Sequence, residues 1–154
     1  MLDTFYVTEA HGGGLVGREG RERFENVLKK ALTGGPVDFR SLIARQKAGR
    51  PIYHSLPGES IRTRILFDNT MSEDRTAIDV ETEDHLGLLY AISQALTALG
   101  LDISLAKITT EKGAAVDTFY VRDPDGRKVE SPDRQREIAE RIYRAIRELE
   151  KPTY

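Results

Sequence analysis

The pentapeptide Asp3-Thr4-Phe5-Tyr6-Val7 recurs as Asp117-Thr118-Phe119-Tyr120-Val121, and the correspondence runs on without a gap. Gly12 falls on Gly126, Leu15 on Val129, Phe24 on Ile138, Leu28 on Ile142 and Ala31 on Ala145. The later pairs are spaced like the apolar face of one helix, so the repeated unit is a strand, a turn and a helix. Such a unit cannot bury its helix face alone and needs a sheet to cover.

The second copy sits inside a fuller pattern. Ile61, Thr63, Ile65 and Phe67 alternate with Arg62, Arg64, Leu66 and Asp68, which predicts a strand over 61–67. A polar turn over 68–74 leads to a strand over 76–82, with Ile78 and Val80 on one face and Asp79 and Glu81 on the other. Leu89, Ile92, Leu96 and Leu99 give one helical face, closed by Gly100. Strands are expected over 101–110 and 114–121, joined at Glu111-Lys112-Gly113. Asp123-Pro124-Asp125-Gly126 is turn chemistry, and Ser131-Pro132 reads as an N-cap with proline at the first helical position. Ile138, Ile142, Ala145, Ile146 and Leu149 share a face of the last helix.

From residue 61 the order is strand, strand, helix, strand, strand, helix. That order predicts an α+β, two-layer sandwich of the ferredoxin-like kind. Four antiparallel strands carry two helices on one face, and the strand at 61–67 fills an edge by pairing with 76–82. Residues 61–150 are expected to form one complete module. Residues 1–32 supply only the strand and helix of another, so the chain is expected to open in mid-module. Residues 33–60, punctuated by Gly34-Gly35-Pro36, Pro51 and Pro57-Gly58, read as a linker with a short helix over 39–47.

The chain has 154 residues with 39% hydrophobic and 31% charged, a globular mixture. Its 23 Lys and Arg against 25 Asp and Glu leave a net charge of −2, which removes any electrostatic case for nucleic acid or an anionic membrane. The absence of cysteine excludes thiol catalysis, thiolate metal sites and a disulfide framework. No signal peptide is visible, and the longest apolar run, 86–92, is far short of the ~18 residues of a membrane span. The expectation is a soluble, cytoplasmic protein.

Patterns that could carry chemistry are few. Gly12-x-Gly14-x-x-Gly17 matches a dinucleotide fingerprint formally. Yet the corresponding turn of the second copy manages with one glycine, and no strand with an acidic ribose ligand follows. It reads as a flexible turn. His11, His54 and His85 have no metal-ligand spacing, and no serine sits in a nucleophile elbow. No catalytic residue, metal or cofactor is expected. Phe119-Tyr120 could stack on bases, but Asp117 and Asp123 flank the pair.

One segment is more specific: Glu83-Asp84-His85-Leu86-Gly87-Leu88-Leu89-Tyr90, between a strand end and a helix start. In one reading Asp84 is simply an N-cap, accepting from the amide of Leu86 or Gly87. In the other, the helix-start amides also take a ligand carboxylate while Asp84 pairs with its ammonium. An amino acid offers both groups a short distance apart.

Thr76-Ala77-Ile78-Asp79-Val80 followed by Asp84 to Tyr90 resembles the Asp-Arg-Pro-Gly-Leu-Leu-Tyr signature of ACT domains. Ala106 to Thr110, Val116 to Val121, and Phe67-Asp68-Asn69 with Ser72 resemble the ACT subclass at the C-terminus of P-II uridylyltransferase/uridylyl-removing enzymes. The resemblance covers 61–148, and 2–32 look like the tail of a preceding ACT domain. It implies a regulatory tail that senses an amino acid, glutamine foremost; the alternative is a stand-alone ACT-repeat protein that acts as a dimerisation or interaction module without ligand. A homodimer through the ACT modules is expected, with the apolar Phe24, Val27, Leu28 and Leu32 face of 2–32, or its strand, docked on another subunit. The implied ligand contacts are Asp84, His85, Leu86, Gly87, Leu88 and Leu89. Leu86 stands where the family usually has proline, which leaves an additional amide in the turn.

Overall fold

Side-chain alternation builds the sheet. In the computed structural model, which describes residues 14–35, 37–39, 41, 43, 61–111 and 113–150, the chain divides into two units, 1–48 and 49–154. The first contains helix α1 (Arg18–Leu32), begun at Gly17 and laced by the ion pairs Arg18–Glu22, Arg23–Glu19 and Lys29–Glu25. None of its residues is buried. Of the short helix expected over 39–47, Phe39, Ser41 and Ile43 are helical, with the Asp38 carboxylate accepting the Ser41 N–H at 3.0 Å. The remainder, like Gly12, His11, His54 and the first copy of the pentapeptide, lies outside the described residues.

The second unit runs β1 (Arg64–Asp68), β2 (Thr76–Glu83), α2 (Leu88–Ala98), β3 (Asp102–Glu111), β4 (Ala114–Arg122) and α3 (Pro132–Glu150). The sheet order is β1-β2-β4-β3 with every neighbour antiparallel. This is the expected α+β, ferredoxin-like arrangement, with β1 filling the edge beside β2. Boundaries differ by a few residues: the expected strand over 61–67 begins regular pairing only at Arg64, although Thr63 already shares a 2.7 Å hydroxyl contact with Thr82.

On one face of the sheet Ile78, Val80, Phe119 and Val121 meet Leu88, Ile92 and Leu96 of α2 and Ile138, Ile142 and Ile146 of α3. The apolar stripe of α2 is offset from the expected one. Leu88 is buried with Ile92, Ala95 and Leu96, a stripe of the same helical spacing, and Leu89 is 43% exposed. The helix stops in a Schellman motif. Leu101 N–H donates to Leu96 O at 3.1 Å and Gly100 N–H to Thr97 O at 2.9 Å. That geometry needs the positive φ of 76° at Gly100, where a Cβ would also lie 2.9 Å from Pro124.

At the Thr76 end of β2 a polar network joins two loops. The buried Thr76 hydroxyl accepts the Val129 N–H at 2.8 Å and donates to Asn69 Oδ1 at 2.5 Å. Asn69 Nδ2 in turn donates to Val129 O at 3.1 Å. Thr76→Val keeps the shape but strands the buried Val129 N–H. We expect it to cost about 1–3 kcal/mol in denaturant unfolding; a loss below the measurement error would refute the network's role.

Candidate functional site

The other end of the sheet holds the segment singled out above. β2 ends at Glu83, and the Asp84 N–H donates to Gly113 O at 2.9 Å, seating the β2–α2 turn on the β3–β4 hairpin. His85 O accepts the Leu88 N–H at 2.9 Å, and Gly87 O accepts the Ala91 N–H at 2.9 Å. Gly87 is itself the N-cap of α2, with φ 89° and ψ 5° and no side-chain capping bond. The expectation that Asp84 caps this helix is therefore corrected. The turn reaches the helix through a left-handed residue, and the cap position falls three residues beyond Asp84. Only a residue without Cβ takes that conformation at no cost.

Asp84 is left exposed at the rim. Leu86 and Leu89 are exposed beside it, His85 is half-buried, and Leu88 is in the core. Among the described residues no acceptor serves the N–H groups of Leu86, Gly87 and Leu89. The Leu88 N–H is taken by His85 O, so of the expected ligand residues Leu88 offers no amide. His85 Nε2 is buried without a hydrogen-bond partner. The turn thus joins backbone donors without acceptors among the described residues, the positive end of α2 and one exposed carboxylate.

Asp117 is a further residue of this end, which sequence reasoning passed over as a mere flank of the aromatic pair. It is opposite Val80 on β2 and Ile108 on β3, on the helix-covered face, and only 2% exposed. Its Oδ1 accepts the Thr109 N–H at 3.3 Å. Burial, opposed by that bond and aided by the negative charge of Asp84, raises its pKa above the ordinary carboxylate value. The signal was legible: Ala115, Asp117, Phe119 and Val121 alternate onto one face.

Phe119 and Tyr120 are both buried, and the Lys107 ammonium sits 5.3 Å from the Tyr120 ring centroid, so the pair forms no exposed stacking platform. Among the described residues no group of three His, Asp or Glu side chains could hold a metal ion, and no helix is long and apolar enough to cross a membrane. At the opposite end of the sheet, a shallow depression of about 390 Å³ is lined by Glu73, Asp74, Gly126, Arg127, Lys128 and Glu130. Its charges of both signs suit no single ligand class.

A family model described as an ACR9-like, ACT-like domain matches residues 64–152. The chain belongs to the ACT-like domain family. The match covers the whole ferredoxin-like sheet and both of its helices. The ACT-like chain is also similar to proteins named bifunctional uridylyltransferase/uridylyl-removing enzyme. That of Azospirillum brasilense is 36% identical over 149 residues, 94% of this chain and 15% of the relative. That of Gluconobacter oxydans is 32% identical over 145 residues, again 94% and 15%. In Ruegeria pomeroyi the figures are 34% over 148 residues, 96% and 16%. The ACT-like chain therefore spans about 15% of the length of the curated relatives it matches. No solved structure matches it.

Proposed function

We propose that this ACT-like chain is an amino-acid-sensing regulatory module of a P-II uridylyltransferase/uridylyl-removing enzyme, and that its ligand is glutamine. The observation that carries the reading is the β2–α2 turn. Among the described residues the N–H groups of Leu86, Gly87 and Leu89 have no acceptor, beside the exposed Asp84. A ligand carboxylate accepts from these amides at the positive end of α2, with the His85 amide beside them. Asp84 meets the ligand ammonium, and Leu88 contributes by anchoring the turn in the core. In this proposal residues 1–32 are the second half of a preceding ACT module, 33–60 are a linker, and 61–150 are the module that carries the site. Such a module signals to catalytic domains elsewhere in its enzyme and needs no catalytic residue or cofactor of its own.

A thermal-shift comparison of glutamine with glutamate tests it. Ligand at 100 times its dissociation constant stabilises the fold by about 2.7 kcal/mol, or several degrees for a module of this size. The expected result is a shift with glutamine and none with glutamate. Equal responses, or none with glutamine, would defeat the assignment.

A second reading, compatible with the first, rests on β3. Nine of its ten residues are exposed, Leu105 and Ile108 among them, and among the described residues one side of the strand has no neighbour in the sheet. An unpaired edge of that length is a template for another strand. We propose that the chain forms a homodimer through its ACT modules, with this edge at the interface. Sedimentation at micromolar concentration should give twice the chain mass; a single-chain mass would exclude it.

A further inference from the structure

We infer that Asp117 is a specificity-determining residue of the turn site, the buried acceptor that pairs with the ammonium group of a bound amino acid. The inference rests on the turn-site reading above and adds to it a residue on another strand. Three observations meet at this end of the sheet. The first is placement. β4 is one strand in from the open edge, and alternation puts Asp117 on the face shared by Val80 and Ile108. Ile108, its neighbour on the edge side, is 46% exposed, so a ligand seated between the turn and β3 would lie beside a partly open side chain next to Asp117.

The second observation is spare hydrogen-bonding capacity. A buried carboxylate can accept several hydrogen bonds, and the one donor to Asp117 among the described residues is the Thr109 N–H at 3.3 Å. Buried charges are normally paired, and an ammonium supplies both a positive charge and three donors. The third is the company it keeps. Asp84 is the charged group whose field reaches Asp117. Asp79, Glu81, Glu83 and Lys107 alternate onto the opposite face, while Val80 and Ile108 flank Asp117 with apolar side chains. Asp84 and Asp117 repel when both are ionised, and a cation placed with both relieves the repulsion.

A proton balance follows. The ionised carboxylate binds the ammonium, and a protonated one does not. Where Asp117 holds a proton in the empty site, amino-acid binding releases it to solvent. Because burial and Asp84 raise its pKa, affinity falls on acidification at a higher pH than an ordinary carboxylate would produce.

Asp117→Asn separates charge from hydrogen bonding, since the amide oxygen can still accept the Thr109 N–H. The experiment is titration calorimetry of the full chain with glutamine at pH 7.5 and pH 5. It is repeated with Asp117→Asn, and with glutaramate, the analogue of glutamine lacking the α-ammonium. The expected results are glutamine binding that weakens at pH 5 and a loss of about 10- to 100-fold in Asp117→Asn at pH 7.5, the range of a charge-assisted hydrogen bond. The variant should also lose the acid dependence, and glutaramate should bind both proteins equally weakly. Unchanged affinity and pH dependence in Asp117→Asn would overturn the role of Asp117 while leaving the turn site standing. Glutaramate binding the native chain as tightly as glutamine would overturn the ammonium contact, whether or not the variant folds. A native chain that binds no amino acid would remove the turn site and this inference together, and the native titration alone reveals it.

Discussion

Phe119→Ala is expected to lower the unfolding free energy by about 3–5 kcal/mol, the usual loss when a fully enclosed aromatic ring is removed. Phe119 is 1% exposed at the centre of β4, opposite Ile78 on β2 and Ala106 on β3. The helices above it contribute Ile92, Leu96, Ile138 and Ile142 to the same cluster. Every layer therefore touches the space that the ring fills, and no neighbour can move in without pulling a strand or helix from its register. Domains of this kind have only about 5–15 kcal/mol in total, so this loss takes about a fifth or more of a marginal stability. Urea titration followed by circular dichroism measures it. A loss under ~1 kcal/mol would mean that this face of the sheet is not the core. Leu66→Ala is the matched control: Leu66 is 53% exposed, and its truncation should cost no more than about 0.5 kcal/mol.

Gly87→Val is expected to abolish the response to glutamine and also to cost about 1–2 kcal/mol of stability, the penalty of a left-handed residue with a Cβ. The turn approaches α2 through φ 89° at Gly87, and a β-branched residue there drives the backbone toward negative φ. The arrangement of the Leu86, Gly87 and Leu89 amides, which the Gly87 conformation sets, would then be lost. Gly126→Val supplies the comparison, because Gly126 has φ 79° with open space around it and lies in the loop at the far end of the sheet. It should show a similar fall in melting temperature with the glutamine shift intact. Loss of the shift in both variants would mean that the effect is global instability; retention in Gly87→Val would mean that the turn does not hold the ligand.

Much of this was legible in the sequence because its signals are local. Period-2 alternation in Ile61 to Phe67 and Thr76 to Thr82 located two strands, since one buried face selects every second side chain. Gly100 after Leu99, and Ser131 before Pro132, marked helix ends through chemistry confined to a few residues. The start of α2 was less legible. Leu86, Leu88 and Leu89 all fit an apolar helix face, and Asp84 is a good N-cap type. The outcome turned on where Gly87 takes up its positive φ and on the seating of Asp84 against Gly113 of a distant hairpin.

Asp117 shows the same division from the other side. Its alternation with Phe119 and Val121 was present in the sequence and assigned its face. Acidic side chains on strands are usually solvated, so the pattern by itself suggested a flank to the aromatic pair. What buries the carboxylate is the packing of β2 on one side and β3 on the other, together with the helix layer above.

The sequence by itself determined the order of strands and helices, the face that the strands present, and the ACT-like signature at the β2–α2 turn, because alternation, caps and short motifs act within a few residues. Only the tertiary structure decided which amides of the turn lack acceptors, which leucine enters the core, and that Asp117 lies buried within the field of Asp84. Those depend on contacts between residues far apart in the chain, where the desolvation of a polar group is set by neighbours that its own segment does not supply.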